Sequence, residues 1–554
     1  MNIKFSNLDR TKVVAQLSKE TYDLVVIGGG ITGGGIALDA ASRGMKVALV
    51  EKGDFASGTS SKSTKLIHGG LRYLKQFDFW LVKEVGSERA IVHKLAPHLV
   101  LPEKMLLPLI ENGSYGKWLT SIGLKVYDIL AQVTGDDKRK MLEKKEALKL
   151  EPLLPKKILK GAGYYAEYRT DDARLTIENI KTSLKFGAQA LNYATVEDFV
   201  YKDEIIAGVK VKDGISGKAF PIKAKYVINA AGPWVDELRG LNNSKNGKRL
   251  HLTKGVHLVF PHKKLPVRQS VYFDVPDGRM MFAIPRGKIT YVGTSDTNYN
   301  DNKDKVRTDI ADAIYLISAV NNMFPSINLE LKDIVSSWAG LRPLIHEEGK
   351  STTELSRKDE IFTSVSGLTS IAGGKLTGYR KMAERVVDRI ADQLEEGEGK
   401  KLKPCHTADI PLCGNEGFKK FKNVKKYIAD VLGRIETDGF SEYDAWFLVT
   451  NYGKQTESIL ETYAGLKDKD NQVRMAKAEL RFGIDYEMVQ NPMDFFIRRT
   501  GRLYFDIESI PVLLPPILKE FQRIFKVDDA QLSAWKTTMA MELKEHSDFS
   551  LERI

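Results

Sequence analysis

The stretch DLVVIGGGITGGGIALDAASRGMKVALVE, residues 23–51, decides the fold of this chain. An apolar run leads into Gly28-x-Gly30-x-x-Gly33, and a second apolar run ends at Glu51. In such a motif the first glycine permits a tight turn, the second admits a pyrophosphate to bare backbone, and the third lets the helix pack on the strand. An acid after the second strand is placed to accept hydrogen bonds from a ribose hydroxyl. The pattern predicts a strand–helix–strand unit that binds a dinucleotide.

The loop alone does not identify the dinucleotide. Glu51 disfavours the extra phosphate of NADP, but NAD and FAD both suit this motif. A second glycine pattern, GAGYYA at 161–166, follows no apolar strand and precedes no helix, so it predicts a turn and a β-segment. One fingerprint therefore predicts one dinucleotide, and the rest of the chain has to identify it.

Length and composition narrow the class of protein. A chain of 554 residues is long enough for two or three domains, and its net charge of +12 could serve nucleic acid, an anionic membrane surface or an anionic substrate. The basic residues are dispersed and match no nucleic-acid-binding motif, so we expect no nucleic-acid partner. Cys405 and Cys413 cannot form a disulfide scaffold or a four-thiolate metal site, and we expect no metal. The first twenty residues lack the apolar core of a signal peptide, and a cytoplasmic protein is expected.

Apolar periodicity outlines the organisation of the chain. Helical spacing occurs at 79–95, 117–131 and 172–188, and the charged stretch 135–152 predicts a solvated helix. Short strands are predicted at 194–201, 205–211, 219–224 and 226–232, and an antiparallel meander at 256–342. The charged, glycine-bearing stretch 395–405 is a linker candidate before further helical patterns.

Five segments in fixed order carry a resemblance to a known family. They are SGTSSKSTKLIHGGLRYLK (57–75), VINAAGPWVD (227–236), TKGVHLVF (253–260), WAGLRPL (338–344) and IAGGKLTGYRKMAE (371–384). Together they resemble the FAD-dependent glycerol-3-phosphate dehydrogenases, over nearly the whole chain. The resemblance implies that the glycine loop holds FAD.

The resemblance also implies an α/β fold with three parts. A Rossmann-like FAD-binding domain of the glutathione-reductase type is interleaved with an antiparallel-sheet substrate domain, and a C-terminal α-helical domain follows. The expected division is 20–75, 160–255 and 350–395 for the FAD domain, 76–159 and 256–349 for the substrate domain, and 400–554 for the helical domain.

The activity implied is oxidation of sn-glycerol 3-phosphate to dihydroxyacetone phosphate by hydride transfer to FAD, with the electrons passed to membrane quinone. A glycerol-3-phosphate oxidase that uses O2 is an alternative, although its relatives often carry an internal insertion that is not obvious here. A flavin amine oxidase and a non-catalytic flavoprotein scaffold or sensor are further alternatives.

This chemistry needs an anion clamp, a base near the hydroxyl and positive charge beside the reduced flavin. By resemblance Arg342 and Arg72 bind the substrate phosphate, although a structural salt bridge is the alternative for each. His257 interrupts an apolar strand and on its own would be a core histidine; with the resemblance it is the first candidate for the general base. Tyr73 is a rival that could polarise the hydroxyl. Lys375, at the start of a helix, could contact the substrate and face the N1–C2=O edge of the flavin.

The cofactor-binding candidates come from the glycine loop, the second strand, the hydroxyl-rich segment and two further glycine turns. They are Gly28, Gly30, Thr32, Gly33, Glu51, Lys52, Thr59, Ser60, Ser61, His68, Gly69, Gly70, Ala231, Gly232, Gly374, Lys375, Leu376 and Thr377.

An enzyme that reduces quinone has to reach the bilayer, and no stretch of the sequence is apolar enough to span it. We therefore expect peripheral binding at the inner face of the cell membrane through 79–85, 117–130 or the first twenty residues. A homodimer is compatible with the sequence. Arg498, Arg499 and Arg502 are expected to be structural or surface charges.

Overall fold

A computed structural model describes residues 3–68, 79–111, 113, 138–346 and 359–550. The strands are β1 Thr21–Ile27, β2 Val47–Val50, β3 Leu66–Ile67, β4 Leu101–Ile110, β5 Lys140–Glu143, β6 Leu159–Arg169, β7 Gln189–Leu191, β8 Ala194–Lys202, β9 Ile205–Asp213, β10 Ala219–Asn229, β11 Arg249–Pro261, β12 Ser270–Asp274, β13 Met280–Arg286, β14 Ile289–Gly293, β15 Thr297–Asn298, β16 Ser336–His346, β17 Glu360–Thr363 and β18 Leu368–Ala372. The α-helices are α1 Arg10–Lys19, α2 Ile31–Ser42, α3 Phe79–Leu95, α4 Lys144–Leu150, α5 Asp172–Leu184, α6 Val235–Leu241, α7 Ile310–Met323, α8 Tyr379–Glu398, α9 Phe421–Ile435, α10 Glu442–Tyr452, α11 Thr456–Gly465, α12 Asn471–Tyr486, α13 Arg502–Phe505, α14 Ile510–Phe525 and α15 Asp529–Ser547. None of these helices is long and apolar enough to cross a membrane.

The first sheet is built around β1 and has eight strands in the described chain. Strands β18, β10, β1, β2 and β7 lie side by side and run parallel, while β17, β9 and β8 add antiparallel pairs. Buried parallel strands read as continuous apolar runs, and residues 24–27 of β1 are all buried. Helix α2 packs closely on its neighbours because it is rich in glycine: a Cβ at Gly35 would lie 2.9 Å from the ring of Tyr379 in α8.

Within the residues that the structure describes, the second sheet has ten strands and is antiparallel except for the β4–β12 pair. Its spatial order is β15-β11-β14-β13-β12-β4-β6-β3, with β16 also pairing with β11 and β5 with β6. The antiparallel meander predicted for 256–342 is confirmed in β11–β14. The two strands predicted at 219–224 and 226–232 are one strand, β10, which ends at Asn229, three residues before the predicted end.

The remaining predicted elements agree with the structure to different extents. The helices predicted at 79–95 and 172–188 are α3 and α5. The helix predicted for 135–152 is wrong at 140–143, because these residues pair with β6 as β5 before α4 begins. Residues 160–169, which the predicted division gave to the FAD part, belong to β6 and pair in the second sheet. The helix predicted at 117–131 lies outside the described residues.

Helices α9–α15 form the C-terminal part, and a buried ionic cluster joins it to the first sheet. We call this set the Asp54 cluster: Asp54, Glu487, Asp494, Arg498 and Arg499. The last two are consecutive residues of a π-helix, Asp494–Arg499, and both contact Asp54, at 2.5 Å from Arg498 Nε and 2.8 Å from Arg499 Nη1. Because buried charges require partners, these arginines are structural, as expected.

Candidate active site

A cavity of about 1000 Å³ lies between the glycine loop after β1 and one face of the second sheet. Gly28 has φ +114, and a Cβ there would lie 2.5 Å from the Ala230 carbonyl oxygen. A Cβ at Gly33 would lie 1.9 Å from the carbonyl oxygen of Gly28. These positions therefore require glycine, the first for the turn and the other for the approach of α2 to β1. The bare backbone at Gly28 and Gly30 faces the cavity, as a bound pyrophosphate would require.

Glu51 follows β2 and fixes the loop from the side. Its Oε2 accepts a hydrogen bond from the Gly29 amide at 2.7 Å, and its Oε1 accepts one from the Gly53 amide at 2.8 Å. Burial raises the pKa of this carboxyl, and the two amides oppose that rise. Each oxygen has a second lone pair, so these bonds are compatible with the predicted contact to a ribose.

The hydroxyl-rich segment after β2 runs from the glycine loop across the second sheet. The Ser60 hydroxyl accepts a hydrogen bond from the Ile31 amide at 2.9 Å, at the start of α2. The Thr59 hydroxyl donates to the Leu341 carbonyl at 2.7 Å, and a Cβ at Gly340 would lie 2.5 Å from the Lys62 carbonyl oxygen. The absence of a side chain at Gly340 thus lets the segment cross β16 in contact with the backbone.

A glycine turn and a helix start close the cavity from another side. Gly373 and Gly374 have φ +79 and +78, and residues 376–378 form a 3-10 turn that leads into α8. The Thr377 hydroxyl accepts from the His68 amide and donates to the His68 carbonyl, both at 3.2 Å. This pair joins the end of the hydroxyl-rich segment to the N-terminus of α8.

Arg342 and His257 occupy the same face of the second sheet. In the β11–β16 register, Thr253 is opposite Arg342, Gly255 opposite Gly340, and His257 opposite Trp338. The guanidinium of Arg342 lies over Gly255, where an added Cβ would be 2.4 Å from Nη2. Its donors reach the Ser295 carbonyl at 3.1 Å, the Asp296 carboxylate at 3.2 Å and the Thr294 hydroxyl at 2.7 Å.

The ring of His257 is almost fully buried, with 1% of its surface exposed. It stacks on the Trp338 ring, with centroids 4.8 Å apart and planes at 11°, and its Nε2 lies 3.0 Å from the Thr64 hydroxyl. Burial lowers the pKa of His257 well below its usual value, and the positive charges of Arg342 and Lys65 lower it further. The imidazole is therefore neutral at physiological pH.

Most of the sequence-predicted residues that the structure describes line this single cavity. They are Gly28, Gly30, Thr32, Glu51, Lys52, Thr59, Ser60, His68, Ala231, Gly232, His257, Arg342, Gly374, Lys375, Leu376 and Thr377. Two cofactor candidates do not line it: Gly33 packs under the loop, and Ser61 is buried behind it. Gly69, Gly70, Arg72 and Tyr73 lie outside the described residues.

Sequence reasoning missed two residues of the site, Thr64 and Trp338. Each lies in a segment that carried the family resemblance, within 57–75 and 338–344. Neither residue type suggests chemistry on its own, so their position beside His257 was needed to identify them.

Comparison with known proteins agrees with this geometry. The family model described as FAD dependent oxidoreductase matches residues 23–380, and the one described as C-terminal domain of alpha-glycerophosphate oxidase matches 405–532. The chain is 51% identical over 532 residues to an aerobic glycerol-3-phosphate dehydrogenase of Bacillus subtilis, covering 96% of both chains. It is 48% identical to one of Staphylococcus aureus, covering 98% of this chain and 97% of the relative.

A solved structure supports the same relationship. The glycerol-3-phosphate dehydrogenase of Bacillus halodurans, complexed with FAD, superposes with a TM-score of 0.84 at 42% identity, covering 98% of this chain and 99% of that one. The predicted α/β fold with a C-terminal helical domain and the predicted FAD cofactor are thereby confirmed. The chain belongs to the FAD-dependent oxidoreductases and, within them, to the aerobic glycerol-3-phosphate dehydrogenase family.

Proposed function

We propose that this enzyme oxidises sn-glycerol 3-phosphate to dihydroxyacetone phosphate and passes the electrons to membrane quinone. The observation that carries the proposal is the placement of a guanidinium and a neutral imidazole, Arg342 and His257, on one face of the second sheet and in the cavity of the FAD loop. FAD bound there supplies the hydride acceptor. The substrate is proposed from the relatives, which are named glycerol-3-phosphate dehydrogenases.

Arg342 has the chemistry to hold the phosphate. A guanidinium presents planar donors that match two phosphate oxygens, and it stays charged at every working pH. Asp296, Thr294 and Ser295 fix the group in place, while 29% of the side chain remains exposed. Gly255 gives it room to lean across the sheet towards His257. Arg72 is proposed as a second phosphate ligand from the sequence alone.

His257 is proposed as the base that takes the proton of the substrate hydroxyl while the hydride leaves the same carbon. A base has to be unprotonated before the reaction, and the lowered pKa of His257 satisfies this condition. Burial is the main cause of the lowered pKa of His257 and the positive charge of Arg342 adds to it, so a substrate phosphate that compensates this charge would make the ring more basic. Tyr73 stays a rival, as predicted from the sequence.

Lys375 and the start of α8 are proposed to stabilise negative charge on the reduced cofactor. Lys375, Leu376 and Thr377 line the cavity at the N-terminal end of the helix, where the helix dipole favours an anion by about 0.3–1 kcal/mol. The positive charge of Lys375 and the positive end of the helix dipole would raise the reduction potential of the flavin and so favour oxidation of the alcohol.

The acceptor and the membrane contact are further parts of the proposal. Among the apolar residues that the structure describes in two of the candidate segments, Val85 and Leu17 are buried, whereas Ile3 and Leu8 are exposed. The segments 79–85, 117–130 and the first twenty residues all stay candidates for the membrane contact, and 117–130 lies outside the described residues. The net charge of +12 suits an anionic bilayer surface.

An anaerobic titration tests the substrate. Purified holoenzyme is mixed with sn-glycerol 3-phosphate, sn-glycerol 1-phosphate, glycerol or glycine, and the flavin absorbance is followed. We expect bleaching with the first compound and little with the other three. Bleaching by glycine instead would favour an amine oxidase, and bound flavin that no substrate reduces would indicate a scaffold or sensor.

A second experiment tests the acceptor. Enzyme reduced by substrate is mixed with a water-soluble quinone or with O2, and hydrogen peroxide is measured. Faster reoxidation by quinone with little peroxide is expected, whereas stoichiometric peroxide would identify an oxidase. Flotation with anionic liposomes at low salt tests membrane binding, and protein that stays at the bottom of the gradient would contradict it.

A further inference from the structure

The Thr64 hydroxyl is held in a fixed position against His257. Thr64 lies in the segment between the turn at 59–61 and β3, and its carbonyl accepts a hydrogen bond from the Tyr291 hydroxyl at 3.1 Å. The residue before it is also anchored: the Ser63 carbonyl accepts from Trp338 Nε1 at 3.0 Å. The residue after it, Lys65, donates to Asp172 and to the Ser61 carbonyl. Three consecutive residues are thus tied to surrounding elements.

The packing around the His257 ring leaves its flip about χ2 undetermined. Trp338 covers one side of the ring, and Gly293 lies directly opposite His257 on β14, where an added Cβ would be 2.2 Å from Cδ2. Packing of this kind fixes the plane of a ring, but it does not distinguish the two orientations related by a flip about χ2. Within the described chain, Nδ1 has no hydrogen-bond partner and Nε2 has Thr64. Thr64 is therefore the group that can distinguish the two orientations.

We propose that Thr64 is a positioning residue that acts through His257. Its hydroxyl forms a hydrogen bond with Nε2 and so keeps the ring in one of its two flip orientations. A hydroxyl can both accept and donate, so the contact survives when the ring gains or loses a proton. This inference rests on the proposed function, in which His257 is the base.

The proposal predicts a specific pattern of rate constants for flavin reduction by sn-glycerol 3-phosphate. Thr64→Val keeps the shape of the side chain and removes the hydroxyl, and we expect the limiting rate constant to fall roughly tenfold to a hundredfold, because a misplaced base loses that much. The substrate concentration for half-maximal rate should change little. Thr64→Ser keeps the hydroxyl and is expected to restore most of the rate, which a purely steric role of Thr64 does not predict.

A matched control is available in the same sheet. The Thr290 hydroxyl lies 3.0 Å from Nδ1 of His262, and neither residue lines the cavity. Thr290→Val therefore removes a threonine–histidine hydrogen bond of the same length away from the chemistry. It is expected to leave the rate constant for flavin reduction unchanged, and flavin content and thermal stability confirm that each variant is folded.

A double-mutant cycle decides whether Thr64 acts through His257. We expect Thr64→Val to have no further effect in a His257→Asn background. If it slows flavin reduction by the same factor in that background, or has no effect in the wild type, the proposal is wrong. A wild-type rate for His257→Asn also refutes it. The proposed function itself fails by a different result, a wild-type flavin that sn-glycerol 3-phosphate does not reduce.

Discussion

The Arg342→Gln variant tests two proposed roles of Arg342 together: binding of the substrate phosphate and lowering of the pKa of His257. A hydrogen bond to a charged group contributes about 1.5–3 kcal/mol, which corresponds to roughly a 10- to 100-fold change in affinity. Since 29% of the side chain is exposed and Asp296 lies 3.2 Å away, we expect the lower half of this range. Removing the guanidinium also removes a positive charge that lowers the pKa of His257, so that pKa should rise. A higher pKa moves the acidic limb of kcat/KM to higher pH, because the base then becomes protonated sooner as pH falls.

The assay is stopped-flow reduction of the flavin over a range of substrate concentrations and pH. Glycerol, which lacks the phosphate, serves as the reference substrate, and its slow reaction should lose much less than that of sn-glycerol 3-phosphate. Arg268→Gln is the matched variant, because it removes one positive charge from an exposed position outside the cavity. An equal loss for both substrates, or a pH profile that does not move, would refute the assigned role of Arg342.

Three further predictions concern stability and cofactor binding. Arg499→Met should lower the free energy of unfolding by about 3–5 kcal/mol, because the buried Asp54 carboxylate loses one of its two guanidinium partners. Arg434→Met, in an exposed ion pair, should lower it by only about 0–1 kcal/mol. Thermal unfolding midpoints compare the two variants, and equal shifts would contradict the prediction. Burial raises the pKa of Asp54, but the paired arginines outweigh it and hold that pKa at about 2, below the ordinary 3.8. The stability that this carboxylate contributes is therefore complete above pH 3.8 and is lost as pH falls towards 2. Asp54→Asn should lose less stability than the wild type over that range. Gly33→Ala should abolish the flavin absorbance of the purified protein through its backbone clash, while Gly240→Ala, with open space around the added methyl, should keep it.

The parts of the fold that local patterns encode could be predicted from the sequence. The β1–α2–β2 unit follows from glycine spacing and apolar runs, and the meander follows from short strands separated by turn residues. The assignment of 159–169 to the second sheet could not be predicted in this way. An apolar, glycine-bearing strand is compatible with either sheet, and its partners β4 and β5 decide between them.

The site residues, too, could be predicted from the sequence only where local segments identify them. Arg342 and His257 lie in segments that resemble the family, so their types and positions were enough to select them. The contacts that define their environment join residues far apart in sequence: Thr64 and His257 are separated by 193 positions, and Asp54 and Arg499 by 445. No periodicity links such pairs, because each contact depends on how two sheets and a helical region pack together.

The order of strands in the first sheet has a consequence for synthesis on the ribosome. Strand β1 is made almost first, yet its parallel neighbour β10 begins at Ala219, and β18, which pairs with β10, ends at Ala372. The last described strand of the second sheet, β16, ends earlier, at His346. Parallel pairs between distant segments form slowly, because long loops have to close first. The nucleotide-binding part, although it opens the chain, is therefore expected to be the later of the two sheets to complete its folding, and its first strand has to stay protected from aggregation until then.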